Sequence, residues 1–202
     1  MVELDKTELR TPIPEEDIRR LKVGDIVYVT GTLITSRDAA HKRILQHLRE
    51  KKKLPVRFSG QALFHCGPLV KKVDGEWIVL AAGPTTSMRM EPFEDQVIKN
   101  LGVRLVIGKA GMGEKTRTAM KEFGAAYAAF TGGAAVLAAG RIKRVKRVEW
   151  LDLGIPDAVW VFEVEAFGPL IIGIDSKGNS LFEKVLSEAE RRKAEIVEGP
   201  RS

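Results

Sequence analysis

Two neighbouring stretches, "PFEDQVIKNLGVRLVIG" and "EKTRTAMKEFGAAYAAF", share a grammar that constrains the fold more than any other feature of the chain. Each is a helical run closed by a glycine and followed at once by a short apolar segment. In the first, Phe93, Val97, Ile98 and Leu101 fall on one helical stripe, and Gly102 stands where a left-handed cap ends a helix. "VRLVIG" then reads as a short buried strand, and "AAYAAF" is a candidate for the next. Helices that carry the chain from one strand to another are crossovers, so a layered α/β arrangement follows.

The remaining segments fit that frame. "TPIPEEDIRRLKVGD" reads as a short helix with proline near its first turn, acids after it and Gly24 at its end. "IVYVTGTLI" is a strand interrupted at Gly31. Ser36 is placed to cap the helix "RDAAHKRILQHLREKKK", whose Ala40, Ile44, Leu45 and Leu48 share a face. "QALFHCG" and "LVKKVDGEWIVLAAG" read as strands, the latter folded into a hairpin at Asp74-Gly75. "TGGAAVLAAG" is a close-packed turn that leads into helix or strand. "AVWVFEVEAFGPLIIGID" reads as two strands broken at Gly168-Pro169, and "SLFEKVLSEAERRKAEI" as a C-terminal helix with a solvated charged face. Hairpins and crossovers together predict a mixed sheet. No Pro/Gly/Ser-rich linker divides the 202 residues and no internal repeat appears, so one α/β domain over 1–202 is expected.

The 33 Lys and Arg against 27 Asp and Glu leave a net charge of +6, which suits anionic partners from nucleic acid to small carboxylates without choosing among them. There is no run of about 18 apolar residues and no basic-then-apolar leader, so a cytoplasmic protein without a membrane partner is expected. A single cysteine, Cys66, rules out an internal disulfide and any all-cysteine metal or cluster site held by this chain alone. His41, His47 and His65 leave only a mixed metal site conceivable, and their spacings match no zinc pattern; no metal site is expected. Cys66 reads as a buried structural thiol, because its strand neighbour His65 points to the opposite face.

Three segments, each just after a strand, carry groups suited to an anion. In "TSRDAAHKR", Arg37 and His41 are four apart at a helix start, so both project from one face where the dipole favours anions. The arginine fork can take a carboxylate through two bonds. The same residues also fit a plain polar helix start in which Asp38 pairs with Lys42. In "GPTTSMRM", Pro84 fixes the backbone, Thr85, Thr86 and Ser87 offer hydroxyls, and Arg89 adds a permanent charge. That suits a small planar anion, or else a strand-to-helix turn with capping hydroxyls; Met88 and Met90 read as packing residues. In "GKAGMG", glycines around Lys109 let backbone and ammonium approach an anion, although the spacing is not that of a phosphate-binding P-loop. "RIKRVKRVEW" sets five basic residues around Ile142, Val145 and Val148 at threefold spacing. It reads as an amphipathic segment with a basic face in solvent; without interleaved exposed aromatic residues it is no nucleic-acid site.

In their order and spacing, "GTLITSRDAAHKR", "AGPTTSMRM" and "GKAGMG" resemble the β subunit of the iron-sulfur hydro-lyases, the class I fumarases and L(+)-tartrate dehydratases. The similarity runs from "TPI" to "FGPLIIGIDSKGNSL". It implies a single-domain, three-layer "swivelling" β/β/α fold, in agreement with the mixed layers above. It also implies a [4Fe-4S] cluster held by cysteines of a partner, the α subunit, in a heterotetramer of two α and two β chains; a lone cysteine here fits that division. By the same resemblance Arg37, Arg89 and Lys109 hold the carboxylates of a small dicarboxylate substrate, and Thr86 hydrogen-bonds one of them. Thr85 is the candidate base or a relay to one, His41 is the other acid-base candidate, and Asp38 orients its neighbours. Ala110 stands where the family often has glycine, which stiffens the loop. The activity implied is reversible hydration of fumarate to (S)-malate, with conversion of L(+)-tartrate to oxaloacetate as the alternative. A non-catalytic anion- or nucleic-acid-binding module is the rival that net charge alone would favour.

Overall fold

The structure, a computed structural model, describes residues 6–198. In chain order its elements are β1 (Lys6–Arg10), α1 (Glu15–Arg20), β2 (Ile26–Thr35), α2 (Asp38–Arg49), β3 (Ala62–Phe64), β4 (Leu69–Val73) and β5 (Glu76–Ala81). There follow α3 (Glu91–Leu101), β6 (Leu105–Gly108), α4 (Glu114–Phe123), β7 (Ala126–Ala129), α5 (Ala135–Ala139), β8 (Ile142–Glu149), β9 (Val159–Ile174) and α6 (Leu181–Glu198). Strands β1, β2, β3, β6 and β7 lie side by side and parallel. The long β9 runs antiparallel to β2 along one edge, and its other edge is shared between β8 and β7. Parallel and antiparallel pairing therefore meet in one mixed sheet, which closes on itself through β9.

Strand alternation sorts the apolar side chains into two cores. Leu33, Phe64, Leu105, Ile107 and Ala128 join Trp160, Phe162 and Phe167 in one, against which the β4–β5 hairpin and β8 pack. Ile34, Leu63, Val106 and Tyr127 face the other way and meet Ile44 of α2, Val97 and Ile98 of α3 and Met120 of α4. The result is an α/β molecule layered as helices, parallel strands and a second β layer. Ile98 is fully buried, so cutting it to alanine is expected to cost about 2–5 kcal/mol. No helix among the described residues is long and apolar enough to cross a membrane.

The glycine-closed units are as read: Gly102 and Gly124 both take left-handed conformations at helix ends. Asp74 and Gly75 both have positive φ in the hairpin turn, and "TGGAAVLAAG" resolves into the short helix α5. Three expectations change, and the amphipathic basic segment keeps its reading, as a strand. Helix α1 ends at Arg20, and Gly24 serves the turn before β2 instead. Ser36 does not cap α2, because its hydroxyl is used inside the fold, 2.8 Å from His41 Nδ1. The segment broken in the sequence at Gly168-Pro169 is one strand, β9, that keeps its pairing with β2 across the kink. "RIKRVKRVEW" is strand β8, and its threefold apolar spacing arises from two register shifts, after Ile142 and after Val145. A bulge adds one residue to the strand, so a period of two becomes three without turning the apolar face away.

Candidate active site

Strands β2, β3 and β6 end side by side, and just beyond their carboxyl ends stand Arg37, His65 and Lys109. This edge of a parallel sheet is where α/β folds bind ligands. Beyond Phe64 and Ile107 the gap between β3 and β6 is filled by the chain arriving from β5. Thr85 N donates to His65 O at 2.7 Å, Lys109 N donates to Thr85 O at 3.3 Å, and Ser87 N donates to Lys109 O at 3.0 Å. The Thr85–Thr86 segment is thus held like a short extra strand, in a bridge with Lys109. Gly108 makes this possible, since a Cβ there would collide with the Ser87 hydroxyl. Thr85 and Thr86 are half-buried while Lys109 and Arg89 reach solvent, so hydroxyls line the floor and cations the rim.

The arginines are set from the β2 side. Arg37 Nε is buried without a hydrogen-bond partner, 3.9 Å from Asp157 Oδ1, which is also unpartnered. Its guanidinium lies over the end of β3, where a Cβ on Gly67 would come within 2.5 Å of Nη1. An arginine with a free buried N–H retains capacity for an anion. Asp38 pairs across the fold with Arg89, not along the helix with Lys42. The glycine-rich loop after Lys109 is pinned by Glu91, whose carboxylate accepts from Gly113 N at 2.7 Å and from the Thr116 hydroxyl at 2.7 Å. Ala110 in that loop has φ 68°, a conformation that favours glycine.

His41 lies beneath this surface, fully buried. Its Nδ1 is 2.8 Å from Ser36 Oγ and 2.9 Å from Arg37 O, and its Nε2 is 2.9 Å from Glu94 Oε2. The same carboxylate oxygen meets His65 Nε2 at 2.9 Å; His65 Nδ1 is 3.0 Å from Ser87 Oγ, which is 3.1 Å from the Tyr127 hydroxyl. Burial pushes the Glu94 carboxyl up, but the charges of His65 and His41 and the hydrogen bonds from both prevail and hold it at about 2. His65 is pushed below the usual histidine range by burial, which outweighs the attraction of Glu94. His41, His65 and Glu94 have the composition of a divalent-ion site, with ligand atoms within 4.8 Å of one another. The Nε2 of each histidine already meets Oε2 at hydrogen-bond length, so the cluster as it stands is a hydrogen-bonded one.

Of the residues singled out in the sequence, Arg37, Thr85, Thr86, Arg89 and Lys109 gather at one sheet edge, and His41 sits behind them. Glu94 and Tyr127 are functional-site neighbours to which the sequence assigned no role, while His65, considered there only for a metal site and as the neighbour of Cys66, and Ser87, considered as an anion-facing hydroxyl, both turn inward. A signal for Glu94 existed: it lies three and four residues before Val97 and Ile98, so a carboxylate occupies the apolar stripe of α3. Cys66 is buried and free, with its thiol pushed up to about 12 by burial.

Residues 2–185 match the family described as fumarase C-terminus. Over 193 residues, 96% of this chain and 94% of the relative, the sequence is 44% identical to the L(+)-tartrate dehydratase subunit beta of Escherichia coli (strain K12). It is 46% identical over 178 residues to a Geobacillus stearothermophilus protein named "Putative fumarate hydratase class I", a match covering 88% of this chain and 34% of that longer protein. With that extent of similarity, the chain belongs to the fumarase C-terminus family, in which β subunits of L(+)-tartrate dehydratases and class I fumarate hydratases are related.

Proposed function

We propose that this chain is the β subunit of a two-subunit hydro-lyase that reversibly adds water across the double bond of a four-carbon dicarboxylate, with fumarate to (S)-malate as the first reading. The observation that carries it is the gathering of Arg37, Arg89 and Lys109 around the Thr85–Thr86 floor at the carboxyl ends of three adjacent strands. Two carboxylates in one substrate need separate cationic partners, and three are supplied by three different loops. Arg37 and Arg89 would bind through their forks, Lys109 as a point charge, and Thr86 as a hydrogen-bond donor. In hydration the water's hydroxide joins one alkene carbon and a proton joins its neighbour; Thr85 would give that proton from its hydroxyl and, in the reverse dehydration, would take it back as the base. A threonine hydroxyl is a poor base alone, and the neighbouring cations would favour its ionised form. His41 is sealed from the surface, so its part is to hold Ser36 and Arg37 in place rather than to exchange a proton with substrate.

An iron-sulfur cluster does not fit this chain's own residues. Its single cysteine is fully buried and its thiol is held well away from ionisation. In this reading the [4Fe-4S] cluster belongs to a partner α subunit, in an assembly of two α and two β chains.

A second reading, β subunit of an L(+)-tartrate dehydratase, is favoured by the 44% identity along nearly the full length of a separate subunit of that name. Side-by-side turnover of fumarate and L(+)-tartrate by the anaerobically reconstituted complex separates the two. Malate formation supports the first; tartrate turnover without malate formation overturns that ranking.

A further inference from the structure

We propose that Glu94 is a positioning residue for this site: by engaging His41 and His65 through one oxygen, it locks together the two loops that carry Arg37 and Thr85–Arg89. The proposal rests on the hydro-lyase reading of the site given above. Each histidine stands one hydrogen bond from a substrate-facing segment. His41 Nδ1 is 2.9 Å from the carbonyl of Arg37 itself, and His65 Nδ1 is 3.0 Å from the hydroxyl of Ser87, which lies between Thr86 and Arg89. His65 also receives the Thr85 N–H on its backbone carbonyl at 2.7 Å. Tyr127, on the neighbouring β7, ends the line at Ser87. Ser36, His41, His65, Ser87, Glu94 and Tyr127 are all fully buried, so solvent does not compete for these bonds.

Packing alone does not account for a carboxylate here. Position 94 lies on the apolar stripe of α3, and Glu94 Oε1 is buried with no hydrogen-bond partner, a cost that an apolar side chain would avoid. What an apolar side chain could not do is accept from two histidines at once. His41 lies in the first turn of α2 and His65 follows β3, and the shared oxygen ties them beneath the surface at which Arg89 meets Asp38.

Glu94→Gln tests this with little change of volume. The amide oxygen can stand where Oε2 stands but carries no charge, so the bonds to both histidines weaken and the hold on both loops loosens. Ile98→Val, one turn along the same helix and buried without a polar group, serves as a packing control. In the complex with the cluster-bearing subunit, E94Q is expected to raise KM for fumarate roughly tenfold or more, the effect of removing the charge from two buried hydrogen bonds, with kcat within about threefold. I98V should leave both unchanged. A parental KM in E94Q overturns the proposal. If E94Q does not fold, Ser87→Ala cuts the side-chain link from His65 to the second loop; it is expected to shift KM in the same direction, and an unchanged KM counts against the proposal equally. Should the unsubstituted complex turn over neither fumarate nor L(+)-tartrate, the functional reading fails by itself. Hydrogen exchange on the full chain then decides the positioning role: E94Q must speed exchange at both Ser36–His41 and Thr85–Arg89 relative to I98V, and equal rates overturn it.

Discussion

Arg89 meets Asp38 with two of its nitrogens, Nε lying 3.1 Å from Oδ1 and Nη2 2.8 Å from Oδ2. The pair ties the loop after β5 to the first turn of α2, so the arginine reaches the site already oriented. Arg89 is 50% exposed, which limits what the pair adds to stability to roughly 0.2–1 kcal/mol. Its importance should therefore appear in kinetics. Arg89→Lys keeps the charge and loses the fork, and kcat/KM of the reconstituted complex is expected to fall about 10- to 100-fold with little change in thermal midpoint. Near-parental turnover would remove Arg89 from the carboxylate clamp.

Gly108 is required for space. A Cβ would fall on the Ser87 hydroxyl and lie 3.3 Å from His65 Nδ1, so neither the Thr85–Ser87 segment nor the imidazole could keep its place. Gly108→Ala is expected to lose about 1–3 kcal/mol by urea unfolding, together with most of the complex's activity. An unchanged urea midpoint would show that the site tolerates a side chain there.

Ala110 offers the opposite case, a residue whose replacement by glycine should help. Its φ of 68° is left-handed, where a Cβ is strained by about 1–2 kcal/mol, part of which is returned by the greater freedom of glycine in the unfolded chain. Ala110→Gly should raise stability by up to about 1 kcal/mol, read from the same urea titration. A fall in the midpoint would contradict this.

Acid should weaken the fold at the buried cluster. The Glu94 carboxyl takes its proton at about 2 in the folded chain, against 4.5 for the free group, so its stabilisation is complete above pH 4.5 and is lost as pH falls through 2. His65, held low by burial, adds a loss of the same sign that begins as pH drops below 6.5, where the unfolded chain gains a proton first. Urea midpoints taken from neutral pH downward should therefore fall, and the lower part of the fall should flatten in E94Q. A midpoint that rises on acidification would mean that the cluster is not ionised as described.

Much of the fold was legible because its signals are local. Gly102 and Gly124 closing their helices, and Asp74-Gly75 turning a hairpin, act within a few residues. The basic face of β8 was legible from its spacing, but the cause of that spacing was not, because bulges against β9 set the period and a local pattern does not contain that partner. Gly168-Pro169 looked like a break, yet pairing with β2 carries β9 across it. The cationic residues of the site were visible as strand-following motifs. Their support was not: Glu94, His65 and Tyr127 come from α3, β3 and β7, and only the sheet order brings them together.

On the proposed reading, this chain holds the carboxylates of a substrate whose chemistry needs a second, cluster-bearing chain. The most direct measurement is fumarate hydration, under anaerobic conditions, by this chain alone, by the partner alone and by the two together. Malate is expected only from the mixture, and none from a mixture in which Arg37 is replaced by alanine. Turnover by this chain alone, or a mixture with no activity on either fumarate or L(+)-tartrate while the chain binds nucleic acid with steep salt dependence, would contradict it.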